Sequence, residues 1–202
     1  MARVLPLFFL TCSLFLAACE KKEPPPAAPS QETSLPRPPD RPPFHQELFL
    51  EAALNGNLAV IEEGLRRGNQ LEAEGEGQRT VLMQASFNGH SEVVRLLLKA
   101  GANVAHRDAA RRTSLMYACT GDNMDTIRLL LRHGAEVNAV DGEEQFSPLM
   151  YAAAEGLASV VSLLLEKGAD PEHRDRDGDT AADFARRAGH LAVAKLIEEA
   201  AG

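Results

Sequence analysis

A block of about 33 residues recurs along most of this 202-residue chain. The clearest copies begin at Thr80, Thr113, Ser147 and Thr180, with spacings of 33, 34 and 33 residues. A weaker copy lies one period upstream. A fixed period of this length is typical of solenoids, in which each unit packs only against its neighbours. The repeat therefore favours an array of stacked units over a single closed core.

The pattern inside one unit predicts two helices. A hydroxyl residue such as Thr113 is a favoured N-cap and opens a short first helix. The second helix carries an apolar stripe, as in the segment from Val93 to Leu98, and stops at a glycine such as Gly101. A polar stretch then leads to the next cap. We therefore predict an all-α solenoid of five helix–turn–helix repeats with projecting hairpin loops.

These residues resemble the ankyrin repeat, with its Asp-x-x-Gly-x-Thr-Pro-Leu-His-x-Ala opening and Gly-Ala-Asp-x-Asn closing. The resemblance covers residues 44–202 and divides them into repeats of about 44–76, 77–109, 110–143, 144–176 and 177–202. It implies a protein-binding array without catalytic activity. We expect the array to be monomeric.

Several positions depart from the ankyrin pattern. The motif His is Met in the second to fourth repeats, so the usual His–Thr hydrogen bond is absent there. Arg111 replaces the hairpin glycine that Gly178 retains, and Asp122 replaces the glycine between the two helices. The loop around Asp141 to Phe146 has one extra residue. We expect two of these loops to deviate from ideal hairpins.

The first 18 residues are interpreted as a targeting signal, not as part of the array. Arg3 is followed by a mainly apolar run from Val4 to Leu16. This run is shorter than the about 20 residues that a membrane-spanning helix needs. It ends in Leu-Ala-Ala-Cys at Cys19, which resembles the lipobox of bacterial lipoproteins. The resemblance implies cleavage before Cys19, diacylglycerol on its sulfur and acylation of the new amino terminus.

Ordinary secretory cleavage after Ala18 stays open as an alternative, because small residues suit both signal peptidases. Several acyl chains would anchor the protein stably in a membrane. In enterobacterial lipoproteins an Asp after the lipidated Cys favours the inner membrane, but this chain has Glu20. We therefore expect a lipid-anchored protein of the bacterial cell envelope, in the outer membrane and facing the periplasm.

A spacer separates the signal from the array. Residues 19–43 contain nine of the twelve prolines, and their acidic and basic residues balance. The segment has no apolar period, so we expect it to remain disordered. Proline keeps the chain extended, and the segment could span roughly 75 Å at about 3.1 Å per residue. A tether is favoured, and a Pro-rich ligand for another domain is the alternative.

The net charge and the cysteine content argue against a nucleic-acid-binding protein and against a disulfide-stabilised fold. The formal net charge of −8 argues against a nucleic-acid partner, because such proteins usually present a basic face. If the signal is removed and Cys19 is lipidated, Cys119 remains alone and no internal disulfide can form. Its position beside Ala118 on a helix predicts a small buried side chain.

No metal, cofactor or catalytic site is predicted. His106 and His173 occupy equivalent places two repeats apart, roughly 20 Å from each other given helix packing distances of about 8–10 Å. Metal ligands must lie within about 2 Å of one ion, so this pair cannot share one. Asp175–Asp179 resembles the start of a calcium loop, but the required Gly and Glu are absent from their positions, and the segment also fits the ankyrin hairpin. Phosphate-loop and nucleophile motifs are also absent.

The resemblance implies that partners bind the groove formed by the hairpin tips and the first helices. Phe146 is the candidate anchor, although packing against a neighbouring hairpin would equally explain an apolar ring there. Tyr117, Tyr151 and Phe184 share one repeat position and are predicted to belong to the core. Carried over by position, the candidate partner-binding residues are Glu76, Arg79, Phe87, Asn88, Ala109, Arg112, Thr120, Glu143, Glu144, Phe146, Glu155, Arg176, Asp177 and Arg187.

These expectations combine into one functional hypothesis. The chain is predicted to be a membrane-anchored bacterial lipoprotein whose groove binds a protein partner in the periplasm or cell envelope. The alternative is an inhibitor or immunity-type protein that blocks one enzyme or toxin. A fold alone does not identify the partner.

Overall fold

The computed structural model of the protein describes residues 42–72 and 74–202. These residues form five successive pairs of α-helices and no β-strand. We call the first helix of each pair the inner helix and the second the outer helix. In chain order the helices are α1 (Gln46–Leu54), α2 (Leu58–Arg67), α3 (Val81–Phe87), α4 (Ser91–Lys99), α5 (Ser114–Ala118), α6 (Met124–Arg132), α7 (Pro148–Ala154), α8 (Ala158–Glu166), α9 (Ala181–Arg187) and α10 (Leu191–Ala201).

Five helix pairs confirm the predicted all-α solenoid. The predicted signal at residues 1–18, the lipidation site Cys19 and the spacer up to residue 41 lie outside the described residues. Of the helices in the described part of the chain, none combines the length and the hydrophobicity that crossing a bilayer requires.

Hydroxyl side chains start the second to fifth inner helices, as the sequence predicts. The side-chain oxygens of Thr80, Thr113, Ser147 and Thr180 each accept a hydrogen bond from the backbone N–H of the third helical residue. This contact satisfies one of the N–H groups that the first turn leaves without an intrahelical partner. Pro148 occupies the first position of α7, where a missing N–H costs nothing.

Neighbouring pairs stack on one another through both of their helices. Inner helices pack in the order α1, α3, α5, α7 and α9, while the outer helices α2, α4, α6, α8 and α10 form a parallel row of contacts. Each outer helix buries residues spaced three and four apart, for example Val93, Val94 and Leu97 in α4. Cys119 is fully buried in this core, as predicted, and burial raises the pKa of its thiol. The apolar stripes thus form one continuous core along the array.

The third pair departs from the others at the turn between its helices. Helix α5 ends after five residues, whereas α3, α7 and α9 each have seven. The other four pairs place a glycine in this turn with φ between 69° and 84°. Asp122 stands at that position here and does not adopt the left-handed conformation. This turn therefore differs from the turns of the other four pairs.

The last inner helix has a carboxylate at the position of the motif His. Asp183 occupies the position of the motif His, and its Oδ2 accepts hydrogen bonds from Thr180 N at 2.9 Å and Thr180 Oγ1 at 2.6 Å. Arg186 donates to its other oxygen at 2.7 Å. The bonds from Thr180, followed by the Arg186 contact, lower the pKa of Asp183 from 3.8 to about 2. In α5, the thioether of Met116 accepts from Thr113 N at 3.4 Å in the same position.

The depressed pKa of Asp183 predicts a component of acid sensitivity. A folded-state pKa below the unfolded value stabilises the fold above about pH 4, and this stability is lost as the pH falls towards 2. The side chain is 31% exposed, so we expect the component to be about 1 kcal/mol after solvent screening. Urea unfolding of the wild type and Asp183→Asn at pH 6, 4 and 2 measures it. Equal pH dependence in both proteins would contradict the prediction.

Candidate functional site

Hairpins project between consecutive helix pairs, and we call them fingers. The four fingers are residues 75–79, 108–112, 141–146 and 175–179. In each one the backbone N–H of the first residue donates to the carbonyl of the last at 2.9 to 3.1 Å. These backbone bonds close each finger into a hairpin.

The tip residue of every finger is left-handed. The φ angle is 60° at Gln78 and Arg111, 65° at Gln145 and 86° at Gly178. Arg111 and Gly178 also make the same backbone hydrogen bond, to the carbonyl three residues earlier, at 2.8 and 3.2 Å. The deviation expected at Arg111 is therefore wrong, because the hydrogen-bonded hairpin imposes this φ even where glycine is missing.

Adjacent fingers are joined by backbone hydrogen bonds. Ala109 N donates to Gly77 O at 3.0 Å, Gly142 N to Ala110 O at 2.8 Å, and Arg176 N to Glu144 O at 3.0 Å. These three bonds link all four fingers into one row. The sequence predicted the individual hairpins but not this row, because no local pattern encodes a bond between residues about 33 positions apart.

A buried aspartate lies at the base of three fingers. Asp108 Oδ1 accepts from Arg112 N at 2.8 Å, and Asp141 Oδ1 accepts from Phe146 N at 3.2 Å. Asp175 Oδ1 accepts from the N–H groups of Asp177 and Asp179 in the same way. The segment that resembled a calcium loop thus uses Asp175 to hold its own backbone. Within residues 42–72 and 74–202, no cluster of three or more His, Cys, Asp or Glu side chains could hold a metal ion.

Two of these aspartates connect the fingers to the inner helices. The hydroxyl of Tyr117 donates to Asp108 Oδ2 at 2.6 Å, and that of Tyr151 donates to Asp141 Oδ2 at 2.8 Å. Burial, followed by the hydrogen bond to the aspartate, raises the pKa of both tyrosines. The equivalent ring in the fifth repeat is Phe184, which has no hydroxyl to offer Asp175.

The two histidines considered as metal ligands support the fingers. His106 Nε2 lies 3.4 Å from Gln78 O, and His173 Nε2 lies 2.8 Å from Gln145 O. Each ring therefore hydrogen-bonds the tip carbonyl of the preceding finger. Their equivalent positions in the sequence reflect this shared contact.

A pocket of about 430 Å³ lies between the inner helices and the fingers 75–79 and 108–112. Its volume falls within the range of about 300–1,000 Å³ usual for ligand sites. The walls come from four consecutive repeats, and they consist of Leu54, Arg79, Met83, Gln84, Phe87, Arg112, Met116, Tyr117, Thr120 and Tyr151. Most of these side chains are apolar or aromatic.

Four predicted site residues meet at this pocket. Arg79 and Arg112 each place the guanidinium carbon 5.5 Å from the centre of the Tyr117 ring. Phe87 contacts the same ring edge to face, with centroids 6.2 Å apart, and 47% of its surface is exposed. Thr120 completes the group. Tyr117 is buried as predicted, and it is also the centre of the candidate site.

The remaining candidates lie elsewhere on the same face or serve the fold. The exposed finger residues form the row described above, and they are Glu76, Ala109, Glu143, Glu144, Arg176 and Asp177. Asn88 uses its amide to donate to Leu54 O at 2.7 Å, and Glu155 is exposed at the end of α7. Arg187 forms an ion pair with Asp179 and lies over the Phe184 ring at 4.9 Å.

Phe146 packs inside the array, but on rings of the inner helices and not on a neighbouring hairpin, as the alternative interpretation had it. Its ring contacts Phe184 at 4.9 Å and Tyr151 at 5.9 Å between centroids, in both cases edge to face. The half-buried ring therefore joins the fourth and fifth repeats. Phe87, treated as a lesser candidate, is the more exposed phenylalanine at the site.

Sequence reasoning did not assign the floor of the pocket. Met83 and Met116 replace the motif His, and this departure was interpreted only as a lost hydrogen bond. Met83 and Met116 share the motif His position, and Met116 directly precedes Tyr117. This repeated Met is the signal that could have indicated an apolar floor. Leu54 and Gln84 carry no such signal in the sequence.

Comparison with known families agrees with this geometry. A family model described as ankyrin repeats in three copies matches residues 49–141, and one described as ankyrin repeats in many copies matches residues 130–185. Together they span more than half of the chain. The chain belongs to the ankyrin repeat family.

Individual relatives match the ankyrin segment alone. A potassium channel of Oryza sativa subsp. japonica is 44% identical over 57 residues, which is 28% of this chain and 8% of the channel. An E3 ubiquitin-protein ligase of Caenorhabditis elegans is 49% identical over 55 residues, which is 26% of this chain and 2% of the ligase. A probable E3 ubiquitin-protein ligase of Oryza sativa subsp. japonica is 49% identical over 51 residues, which is 25% of this chain and 10% of that protein. The chain thus spans a tenth or less of each of these relatives.

Membership in the ankyrin family fixes the general role of the array. Ankyrin repeats are protein–protein interaction modules and are generally non-enzymatic scaffolds. The match to ligases covers only ankyrin-like segments.

The tyrosine–aspartate links predict paired effects on stability. Tyr117→Phe removes a donor from the buried Asp108 and should lower the free energy of unfolding by about 1–2 kcal/mol. Phe184→Tyr places a hydroxyl at the equivalent position near Asp175 and should raise it by up to about 1 kcal/mol. Urea unfolding followed by circular dichroism measures both. A loss of stability in Phe184→Tyr, or no loss in Tyr117→Phe, would show that the link does not stabilise the array.

Proposed function

We propose that this ankyrin array binds a protein partner through the pocket around Tyr117 and the adjoining row of fingers. The observation that carries the proposal is the pocket itself, an apolar cavity of about 430 Å³ with an exposed phenylalanine at its edge. Aromatic and arginine side chains around a central pocket are the residue types that contribute most to protein binding. The bonded fingers support binding because a preformed surface loses little conformational entropy on association.

The array acts as a binding module and not as a catalyst. The tyrosines at the site have raised pKa values and donate to aspartates, so neither is poised as a base. The one cysteine in the described residues, Cys119, is fully buried with a raised pKa. In this proposal the protein acts as a monomer, and its exposed groove receives a different protein.

The proposal places the array in the envelope of a bacterium. Its support is the sequence of residues 1–19, with a positive start, an apolar run and Leu-Ala-Ala-Cys at Cys19. Diacylglycerol and further acyl chains at Cys19 anchor the protein, in the outer membrane and facing the periplasm. The Pro-rich residues 19–43 hold the array away from the bilayer, so that the groove reaches a partner in the periplasm.

Substitution at Cys19 tests the anchor. Cys19→Ser removes the sulfur that carries the lipid, so the protein should move from the membrane fraction to the soluble fraction and lose incorporation of labelled palmitate. Cys12→Ser is the matched control, since it lies within the predicted signal and should leave both readouts unchanged. Membrane retention of Cys19→Ser would contradict the anchor.

Site-specific photo-crosslinking tests the groove. A benzoylphenylalanine at Phe87, at the edge of the pocket, should give discrete crosslinked species when the full chain is expressed in its native envelope. The control places the same group at Leu191, which is 67% exposed and belongs to an outer helix. Crosslinks at Leu191 but not at Phe87, or at neither position, would contradict binding through the pocket.

A further inference from the structure

The pocket around Tyr117 is positively charged, whereas the protein as a whole is acidic. Arg79 and Arg112 are its only charged lining residues within the described part of the chain, although the formal net charge of the protein is −8. Among the described residues, no carboxylate lines the pocket. An acidic protein with two guanidinium groups at an apolar cavity presents a local site of opposite charge.

Arg79 has no partner for its charge among the described residues. None of the ion pairs among the described residues includes it, and its Nε is buried without a hydrogen-bond acceptor. Its contact is the Tyr117 ring, whose centre lies 5.5 Å from the guanidinium carbon. A buried N–H without an acceptor costs free energy, and an incoming anion would supply the missing acceptor.

Arg112 is only partly neutralised. Its Nε lies 3.3 Å from Asp108 Oδ2 but makes no hydrogen bond there, and that carboxylate accepts from the Tyr117 hydroxyl and from Arg112 N. The guanidinium carbon of Arg112 lies 5.5 Å from the same ring centre as that of Arg79. One tyrosine ring therefore orders two cations, and a guanidinium near a ring can still donate N–H bonds to a carboxylate.

The remaining lining residues are largely apolar, and they indicate that the ligand carries apolar groups beside its anion. Leu54, Met83 and Met116 make the wall apolar, and the exposed Phe87 ring borders it. A simple anion would leave this apolar surface uncovered. A chain segment with an aliphatic or aromatic side chain beside a carboxylate would cover both parts of the site.

We propose that the pocket binds a partner segment in which an aspartate or glutamate side chain lies next to apolar residues, with the carboxylate held by Arg79 and Arg112. This inference rests on the proposed function and specifies the chemistry of the partner. The segment enters from another protein, with its carboxylate at the arginine-lined part of the pocket and its apolar side chain against Met83, Met116 and Phe87.

A displayed library of random 12-residue peptides provides the probe. Selection on the full chain should enrich peptides with Asp or Glu beside Leu, Ile, Met or Phe. The best enriched peptide is then synthesised with a fluorescent label, and its affinity is measured by anisotropy at low and high salt. Replacing its acidic residue by the amide should weaken binding about tenfold or more, the effect expected for losing a charged hydrogen bond.

Variants of the protein test where the carboxylate binds. Arg79→Gln should weaken binding of the acidic peptide about tenfold and should not further weaken binding of the amide peptide. Arg112→Gln should act similarly. Arg95→Gln is the matched control, because it removes the same charge from an exposed residue of α4 that does not line the pocket. Circular dichroism verifies that each variant is folded.

Each outcome bears on one proposal or both. No enriched peptide, an enriched pool without acidic residues, or equal affinity of Arg79→Gln and wild type overturns this inference. If the selected peptides lose binding in Phe87→Ser but not in Arg79→Gln, the pocket still binds proteins and only the acidic specificity fails. If a synthetic peptide of residues 20–43 competes with them, the chain fills its own pocket and the partner segment is overturned.

Discussion

Each helix pair depends on its neighbours to bury its apolar stripe. Val93, Val94 and Leu97 of α4 are covered because α2 and α6 lie on either side, and the inner helices stack in the same order. The stability of such an array is a sum of repeat and interface contributions, so no single centre holds it together. The same stacking leaves one long face free, on which inner helices and fingers from several repeats combine into a surface.

The finger aspartates connect the inner helices of the core to the fingers of that free surface. Asp108 and Asp141 hold the finger backbone with one oxygen and a tyrosine of the inner helix with the other. The tyrosine that anchors the finger is also the ring under Arg79 and Arg112. The hydrogen bond from Tyr117 to Asp108 therefore positions the finger, the tyrosine ring of the pocket and the two arginines beside that ring.

Local features could be predicted from the sequence, and contacts between repeats could not. The caps Thr80 and Ser147 depend on backbone groups three residues away, so their role is encoded locally. Their positions in the repeat predict that Arg79 and Phe87 belong to the groove, and both line the pocket in the structure. The amide of Asn88 donates to Leu54 O, and the ring of Phe146 packs on Phe184, across repeat boundaries that no local pattern describes. The anchor at Cys19 stays a prediction.

The finger tips have a cost that glycine would avoid. Gln78, Arg111 and Gln145 hold a left-handed backbone, which disfavours a side chain by about 1 kcal/mol or more per residue. A glycine at each tip would relieve that strain but would provide no side chain there. The array thus gives up some folding stability to keep distinct side chains at its tips. Those three tip side chains are exposed, so they can be exchanged without removing any of the backbone hydrogen bonds that close the hairpins.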